Sequence, residues 1–184
     1  MVTFPATQSA LLDELTARTA DAVRFGEGLA DVPGDRLHAR PAPKRWSALE
    51  CLEHANRYAD DYLGRLDAAA AKAGPRAEAA YAPTWVGRRF AAAVHPGTRD
   101  KKMRTFPTKD PRTDTLDADA VVAAFVANQQ AYLDVLGRLA DRSLTGVKVG
   151  VSILPIVRLR LADMLAVVLW HNARHVEQAR EAVG

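Results

Sequence analysis

The sequence has little of several features that set special classes of protein apart. Its single cysteine, Cys51, cannot form a disulfide within the chain, so nothing indicates an oxidising compartment. The N-terminal region has no basic stretch followed by an apolar run, and Asp163 interrupts the most hydrophobic segment before it could span a bilayer. We therefore expect a soluble, cytoplasmic protein that has no membrane partner.

Net charge and aromatic residues are also sparse. A formal net charge of +3 is too small to indicate a nucleic-acid partner, although the calculated pI is 9.2. Aromatic side chains make up 7% of the residues, and the apolar share of 48% comes mainly from Ala, Leu and Val, which favours helices. The length of 184 residues fits one domain, which we place over residues 1–184.

Apolar residues recur at the spacing of an amphipathic helix in four long segments. The pattern predicts long helices over residues 7–30, 47–73, 118–141 and 161–183, and a short helix over 84–94. The second long helix has the clearest start, because Ser47 can cap it while Glu50 reaches back to the backbone amide of the cap. Four such helices with one long connection predict an all-α fold, a four-helix bundle.

Two connecting segments carry residues that interrupt regular structure. Residues 31–45 contain three prolines and one glycine, so we predict a loop without a regular element. Residues 143–159 are rich in β-branched side chains, and a two-stranded excursion is one alternative there. Pro155 and the shortness of this segment favour instead a loop that leads into the last helix.

The connection between the second and third long helices, residues 74–117, is far longer than a usual bundle loop. This insert holds nine Lys or Arg residues and five Asp or Glu residues, so the basic character of the chain belongs to it. As a lid over the bundle, it could use Arg88, Arg89, Lys101 or Lys102 to bind the carboxylates of an anionic thiol cofactor. Phosphate contacts with nucleic acid are a second role, although no recognition motif is present. A solvated excursion or a homodimer contact is the role that we favour.

Two histidines stand on the apolar face of the last predicted helix. His171 and His175 are four residues apart, so their imidazoles can converge on one divalent cation. In the alternative interpretation both rings lie near the helix end and bond water or a carbonyl. Two nitrogens alone make a weak site, and a third ligand must come from elsewhere. His54 falls at the edge of the apolar arc of the second helix, so periodicity leaves its direction open.

The segments WSALECLEHANRY and WHNARHVEQ together resemble the DinB-like superfamily of four-helix-bundle metalloenzymes. In that family a Trp-Ser helix start precedes a histidine in the second helix, and an HxxxH pair ends the fourth. The matching residues in this sequence are Trp46, Ser47, His54, His171, His175 and Gln178.

The resemblance implies that His54, His171 and His175 bind a divalent metal such as Zn, Ni, Mn or Fe. It also implies a small-molecule substrate and, for some members, a low-molecular-weight thiol as cofactor. A metal-dependent hydrolase and a thiol S-transferase are both activities that such a site supports. The alternative is a non-catalytic helical bundle that binds a ligand or partner without a metal.

Further residues near the expected metal have a functional and a structural interpretation. Glu50 could act as an acid or base, but capping its own helix is the simpler role. Tyr58 could turn its hydroxyl toward the metal, or it could be a core aromatic residue. Cys51 could be a nucleophile, yet a lone cysteine on an apolar face is usually inert. Gln129 could donate a hydrogen bond to the site, or it could fix helix register.

Overall fold

The computed structural model describes residues 2–75, 79–98 and 105–184, and it is mostly helical. Lys101 and Lys102, considered above for cofactor binding, lie outside the described residues. The helices are α1 Gln8–Gly28, α2 Gly34–His38, α3 Ala48–Lys72, α4 Trp85–Val94, α5 Ala118–Arg138 and α6 Leu161–Val183. Short 3-10 helices cover Leu29–Asp31, Pro96–Thr98 and Pro107–Lys109, and two strands are β1 Lys148–Val151 and β2 Leu154–Arg160. The four long helices and the short α4 are where the sequence predicts them, within three residues at each end.

Side-chain caps explain where four of these helices begin. Thr7 accepts a hydrogen bond from the amide of the third residue of α1, and Thr84 and Asp117 do the same for α4 and α5. Ser47 forms the predicted capping box, in which its own amide donates to Glu50 at 2.8 Å and its hydroxyl accepts from the Glu50 amide at 3.2 Å. The start of α3 is therefore fixed by two reciprocal bonds.

The prediction that residues 31–45 contain no regular element is wrong, because α2 lies within them. All three prolines stand outside this short helix: Pro33 is at its N-cap, where a missing N–H costs little, and the other two follow its end. Leu37 is 3% exposed and joins a buried cluster with Leu49 and Leu52. Burial of the Leu37 side chain stabilises α2, and this contribution cannot be read from the local composition of residues 31–45.

The predicted loop over 143–159 is also wrong, because β1 and β2 form an antiparallel hairpin there. Gly150 pairs with Arg158 and Val151 with Leu154, so the register shifts between these two pairs. Pro155 falls inside this irregularity, where the ladder does not need its missing backbone donor. The hairpin leads directly into α6.

The long helices bury the apolar faces that periodicity predicts. α1 and α3 each pack against both α5 and α6, and α4 packs against α6. Trp170, Tyr132 and Phe125 are the largest fully buried side chains in this core. Full burial of a large apolar side chain stabilises the fold by roughly 1.5–3 kcal/mol, so these contacts set the spacing of the helices. Among the described residues, no helix is both long enough and apolar enough to cross a membrane.

A buried carboxylate fixes α4 against the beginning of α6. Asp163 is 0% exposed and accepts hydrogen bonds from the hydroxyl of Tyr81 at 3.1 Å, and from the amide and hydroxyl of Thr84 at 3.2 and 2.6 Å. Gly87 lies so close that a Cβ atom at this position would overlap the Asp163 carboxylate. A glycine is therefore required for α4 to sit on α6 in this way.

Candidate metal centre

Three histidines meet between α3 and α6. Nε2 of His171 lies 3.2 Å from Nε2 of His54 and 3.1 Å from Nε2 of His175. One nitrogen from each ring can be chosen so that all three lie within 4.8 Å of one another. His54 and His175 are buried, and His171 is partly exposed where it lines a cavity. The direction of His54, which periodicity leaves open, is inward.

Local structure explains how distant parts of the chain reach one point. His171 and His175 are one helical turn apart on α6, and their rings lie 4.5 Å apart. His54 comes from the second turn of α3, whose start is set by the capping box at Ser47. Because α3 and α6 pack directly against each other, the His54 ring lies 4.5 Å from the ring of His175.

The backbone carbonyl of Lys109 determines which nitrogen of His54 carries the proton. Nδ1 of His54 is 2.7 Å from this oxygen, which can only accept, so Nδ1 is the donor. In the neutral ring Nε2 is then unprotonated, and its lone pair faces the other two histidines. A carbonyl that holds the outer nitrogen in this way is typical of histidines that bind metals.

The surroundings keep all three imidazoles neutral at pH 7. Burial lowers the pKa of His54 to about 4, although its bond to the Lys109 carbonyl works in the opposite direction. Burial lowers the pKa of His171 and of His175 well below the usual histidine value, and Arg174 lowers both further. Neutral imidazole is the form that binds a metal, so three converging donors of this kind fit a divalent cation.

Aromatic rings enclose the histidines. Trp46 stacks on His175 with ring centroids 5.6 Å apart and lies 4.6 Å from His54. Tyr58 meets His54 and His171 edge-on at 5.0 and 4.7 Å. Nδ1 of His175 makes no hydrogen bond of acceptable geometry with a described residue, although the Gln178 side chain interacts with this ring and opposes the fall in its pKa. Contacts with Trp46 and Tyr58 therefore help to orient the three imidazole rings where hydrogen bonds do not.

The insert is part of this site, because its segment around Lys109 is attached to α3. The ammonium of Lys109 donates to the backbone carbonyl of Arg57 at 2.6 Å and pairs with Asp61 at 2.9 Å. The guanidinium of Arg57 donates to the carbonyl of Asp110 at 3.0 Å and pairs with Asp114. The sequence does not identify Lys109 as a site residue. Its contact with His54 is made by the backbone carbonyl, which is the same for every amino acid type.

A cavity of about 1010 Å³ opens beside the histidines. Arg89 lines it, with its guanidinium 5.5 Å from the centre of the Trp85 ring. Arg88, predicted together with Arg89 to bind a cofactor, instead lies over the ring of Phe4 at 5.0 Å and is not among the lining residues. The structure therefore brings one of the two predicted arginines to the cavity. Lys44, Arg45 and Arg112 add further positive charge to its lining.

The structure shows what surrounds each of the four residues that have both a functional and a structural interpretation in the sequence. Glu50 closes the capping box and pairs with Arg40; burial alone would raise the pKa of Glu50, but these partners hold it below its usual value. Cys51 is fully buried, and burial raises the pKa of its thiol to about 12, which leaves it a poor nucleophile. Gln129 is buried and accepts a 3.4 Å bond from Asn172 on α6. Tyr58 is the residue of this group whose ring packs against two of the histidines, His54 and His171.

Comparison with known proteins gives one match. A family model described as the DinB superfamily matches residues 9–179, which include all of α3 and α5, nearly all of α1, most of α6 and all three histidines. No curated protein and no solved structure matches the chain.

Proposed function

The chain belongs to the DinB superfamily, and on this premise we propose that it is a metal-dependent enzyme in which His54, His171 and His175 hold one divalent cation. The observation that carries the proposal is the direction of the three Nε2 atoms, which face one another at 3.1 and 3.2 Å. These distances bring the three nitrogens close enough for one divalent cation to bind all of them, in place of the protons that can bridge the same nitrogens in the metal-free protein. We also propose that the four long helices form the four-helix bundle of this superfamily, with residues 74–117 as its crossover insert.

Three neutral imidazoles leave the charge of a cation uncompensated and its remaining positions open. Such a cation would acidify a bound water, polarise a substrate oxygen or hold a thiolate. The donor set suits Zn, Ni or Fe, and Mn to a smaller degree. We propose hydrolysis or thiol-dependent S-transfer of a small molecule as the reaction. Arg89 is the residue that we propose for the carboxylates of a low-molecular-weight thiol, because it lines the cavity.

Residues of the chain prepare the site for this chemistry. The Lys109 carbonyl keeps the Nε2 lone pair of His54 directed at the other histidines. Trp46 packs on the ring of His175, and Tyr58 packs on the ring of His54, so both aromatic residues limit how these imidazoles can turn. A cytoplasmic location, a single domain over residues 1–184 and a homodimer contact through the insert stay predictions.

Metal analysis of protein purified without an affinity tag tests the proposal. We expect one cation per chain after incubation with Zn, Ni, Mn or Fe, and loss of that cation in His54→Ala and His171→Ala. His38→Ala is the matched control, because His38 is exposed at the end of α2. Absence of bound metal in the wild-type protein would overturn the proposal in favour of a non-catalytic bundle.

A further inference from the structure

The cavity beside the histidines changes character along α6. Its lining residues on this helix begin with Met164, Val167 and Val168 and continue with His171, Arg174 and His175. Met164 precedes His171 by two helical turns, a distance of about 10 Å. The cavity therefore has an aliphatic half and an imidazole half, and both are formed by the same helix face.

Residues of α3 line the same two halves of the cavity, the imidazole half and the aliphatic half. Trp46, which precedes α3, stacks on His175, whereas Tyr58, further along α3, contacts His171, so α3 and α6 run in opposite directions. Tyr62, one turn beyond Tyr58, therefore lies on the aliphatic side. We call this half the apolar compartment; the residues that define it are Tyr62, Phe90, Val94, Ile153, Met164 and Val168.

The polar groups next to the apolar compartment have partners outside it. Arg89 precedes Phe90 and also lines the cavity, but it is exposed, and its guanidinium lies against the ring of Trp85, which is itself 73% exposed. The hydroxyl of Tyr62 accepts hydrogen bonds from the amide and hydroxyl of Ser152 at 3.0 and 3.2 Å, so the residue presents its ring to the cavity. Arg45 adjoins Trp46 at the histidine half. Arg174, between His171 and His175 on α6, donates from its guanidinium to the backbone carbonyls of Ala93 at 3.4 Å and Thr98 at 3.2 Å. An apolar space of this kind holds water poorly and favours a hydrocarbon.

The walls of the apolar compartment are held in place by contacts outside it. Phe90 and Val94 belong to α4, which is fixed to α6 through Asp163. Ile153 lies in the turn of the hairpin, which Ser152 ties to α3 through Tyr62. A preformed space loses less free energy to ordering when a ligand enters.

We propose that the apolar compartment binds the hydrocarbon part of the substrate, an unbranched acyl or alkyl chain of medium length. The polar reacting end of the same molecule reaches the three histidines. This inference rests on the proposed function, because it assigns the reacting end to the metal centre. It narrows the substrate class to amphipathic molecules with an aliphatic tail.

Binding of straight-chain carboxylates to the metal-free protein tests the compartment without any contribution from the metal. Butyrate, hexanoate and octanoate are titrated by calorimetry. We expect the affinity to rise about fourfold for each added methylene until the compartment is filled. Equal affinities along the series would overturn the inference, and metal analysis of the same preparation would still report on the metal centre.

Two isoleucines of the hairpin provide a matched pair of variants. Ile153 lines the apolar compartment, whereas Ile156 on β2 is 96% exposed. Ile153→Ser should weaken octanoate binding about tenfold, and Ile156→Ser should leave it unchanged. Circular dichroism and thermal melting of both variants establish that they fold. Equal loss in the two variants, or no loss in either, would contradict the inference.

Failure of the inference differs from failure of the proposed function. A protein that binds one cation but shows no dependence on chain length has a metal centre and no hydrocarbon site. A protein that binds octanoate with the expected dependence but never binds a cation has the hydrocarbon site without the metal centre. The second result would refute the proposed enzyme and leave the compartment as a ligand-binding site.

Discussion

The backbone carbonyl of Lys109 accepts a hydrogen bond from Nδ1 of His54 at 2.7 Å. The bond joins the insert, which follows α3 in the chain, to a side chain within α3 itself. Because the ammonium of Lys109 also holds the carbonyl of Arg57 and the carboxylate of Asp61, the position of the acceptor depends on two further contacts. The orientation of His54 is thus linked to the docking of the insert.

Removal of the Lys109 ammonium should weaken metal binding. In Lys109→Met the contacts to Arg57 and Asp61 are lost, so the carbonyl that orients His54 becomes less well fixed. Loss of such an outer contact typically lowers metal affinity 10–100-fold, and we expect a decrease of about tenfold because the carbonyl itself remains. Competition with a chelator measures the dissociation constant. Lys72→Met, at the exposed end of α3, is the control, and an equal affinity in both variants would refute the link.

Metal removal should destabilise the folded protein. A ligand that binds only the folded state stabilises it by about 4 kcal/mol when present at a thousand times its dissociation constant. Chelation should therefore lower the melting temperature of the wild-type protein and of His38→Ala. The melting temperature of His171→Ala should not respond to the chelator. Differential scanning calorimetry with and without chelator makes the comparison, and a response of His171→Ala equal to that of wild type would contradict the assignment.

The metal-free protein should lose stability as the pH falls below about 6.5, the usual histidine pKa. Burial lowers the pKa of His54 to about 4, and it also lowers those of His171 and His175, so the unfolded state binds more protons in this range. Each of the three contributes up to about 1.4 kcal/mol of lost stability per pH unit. Positive charges on Arg57, Lys109 and Arg174 act in the same direction, and Asp110 opposes them.

Urea unfolding in the presence of chelator at pH 7 and pH 5 measures this loss. The decrease in the free energy of unfolding should be smaller in His54→Gln, which cannot be protonated, than in wild type. His38→Gln, on the exposed surface, should behave as wild type. A decrease that is the same in all three proteins would show that the buried histidines are not its cause.

Gly87→Ala should destabilise the protein, because the new Cβ would overlap the Asp163 carboxylate. Forced overlap in a packed region typically costs about 1–3 kcal/mol. Gly64→Ala is the matched control: Gly64 is exposed within α3 and a Cβ there meets nothing within 4 Å. That variant should gain about 0.5–1 kcal/mol, since alanine favours the helix. Opposite signs in chemical unfolding would support the argument, and a stable Gly87→Ala would refute it.

Much of the helical structure could be predicted from the sequence, because its signals are local. The Ser47 and Glu50 pair marks the start of α3, and the spacing of His171 and His175 places both on one face of α6. What could not be predicted depends on contacts between distant residues. Burial of Leu37 stabilises α2, and a shift in strand register accommodates Pro155 in the hairpin.

The candidate site also has some residues that the sequence predicts and others that only contacts between distant residues reveal. Periodicity places two histidines, and the family resemblance supplies the third, His54, whose own surroundings are ambiguous in sequence. Neither reveals the contact with the Lys109 carbonyl, because any amino acid at position 109 would present the same backbone group. Nor does sequence show that Arg88 turns to Phe4 while Arg89 stays at the cavity, since the two neighbours differ only in side-chain direction.

The bond between Lys109 and His54 also bears on protein design. A designer who transplants the three histidines onto another helical scaffold would copy the side chains but not the oxygen that orients one of them. That oxygen comes from a 3-10 turn, Pro107–Lys109, outside the long helices. A working graft would therefore need this short turn as well, or a substitute acceptor such as a carboxylate placed at the same point.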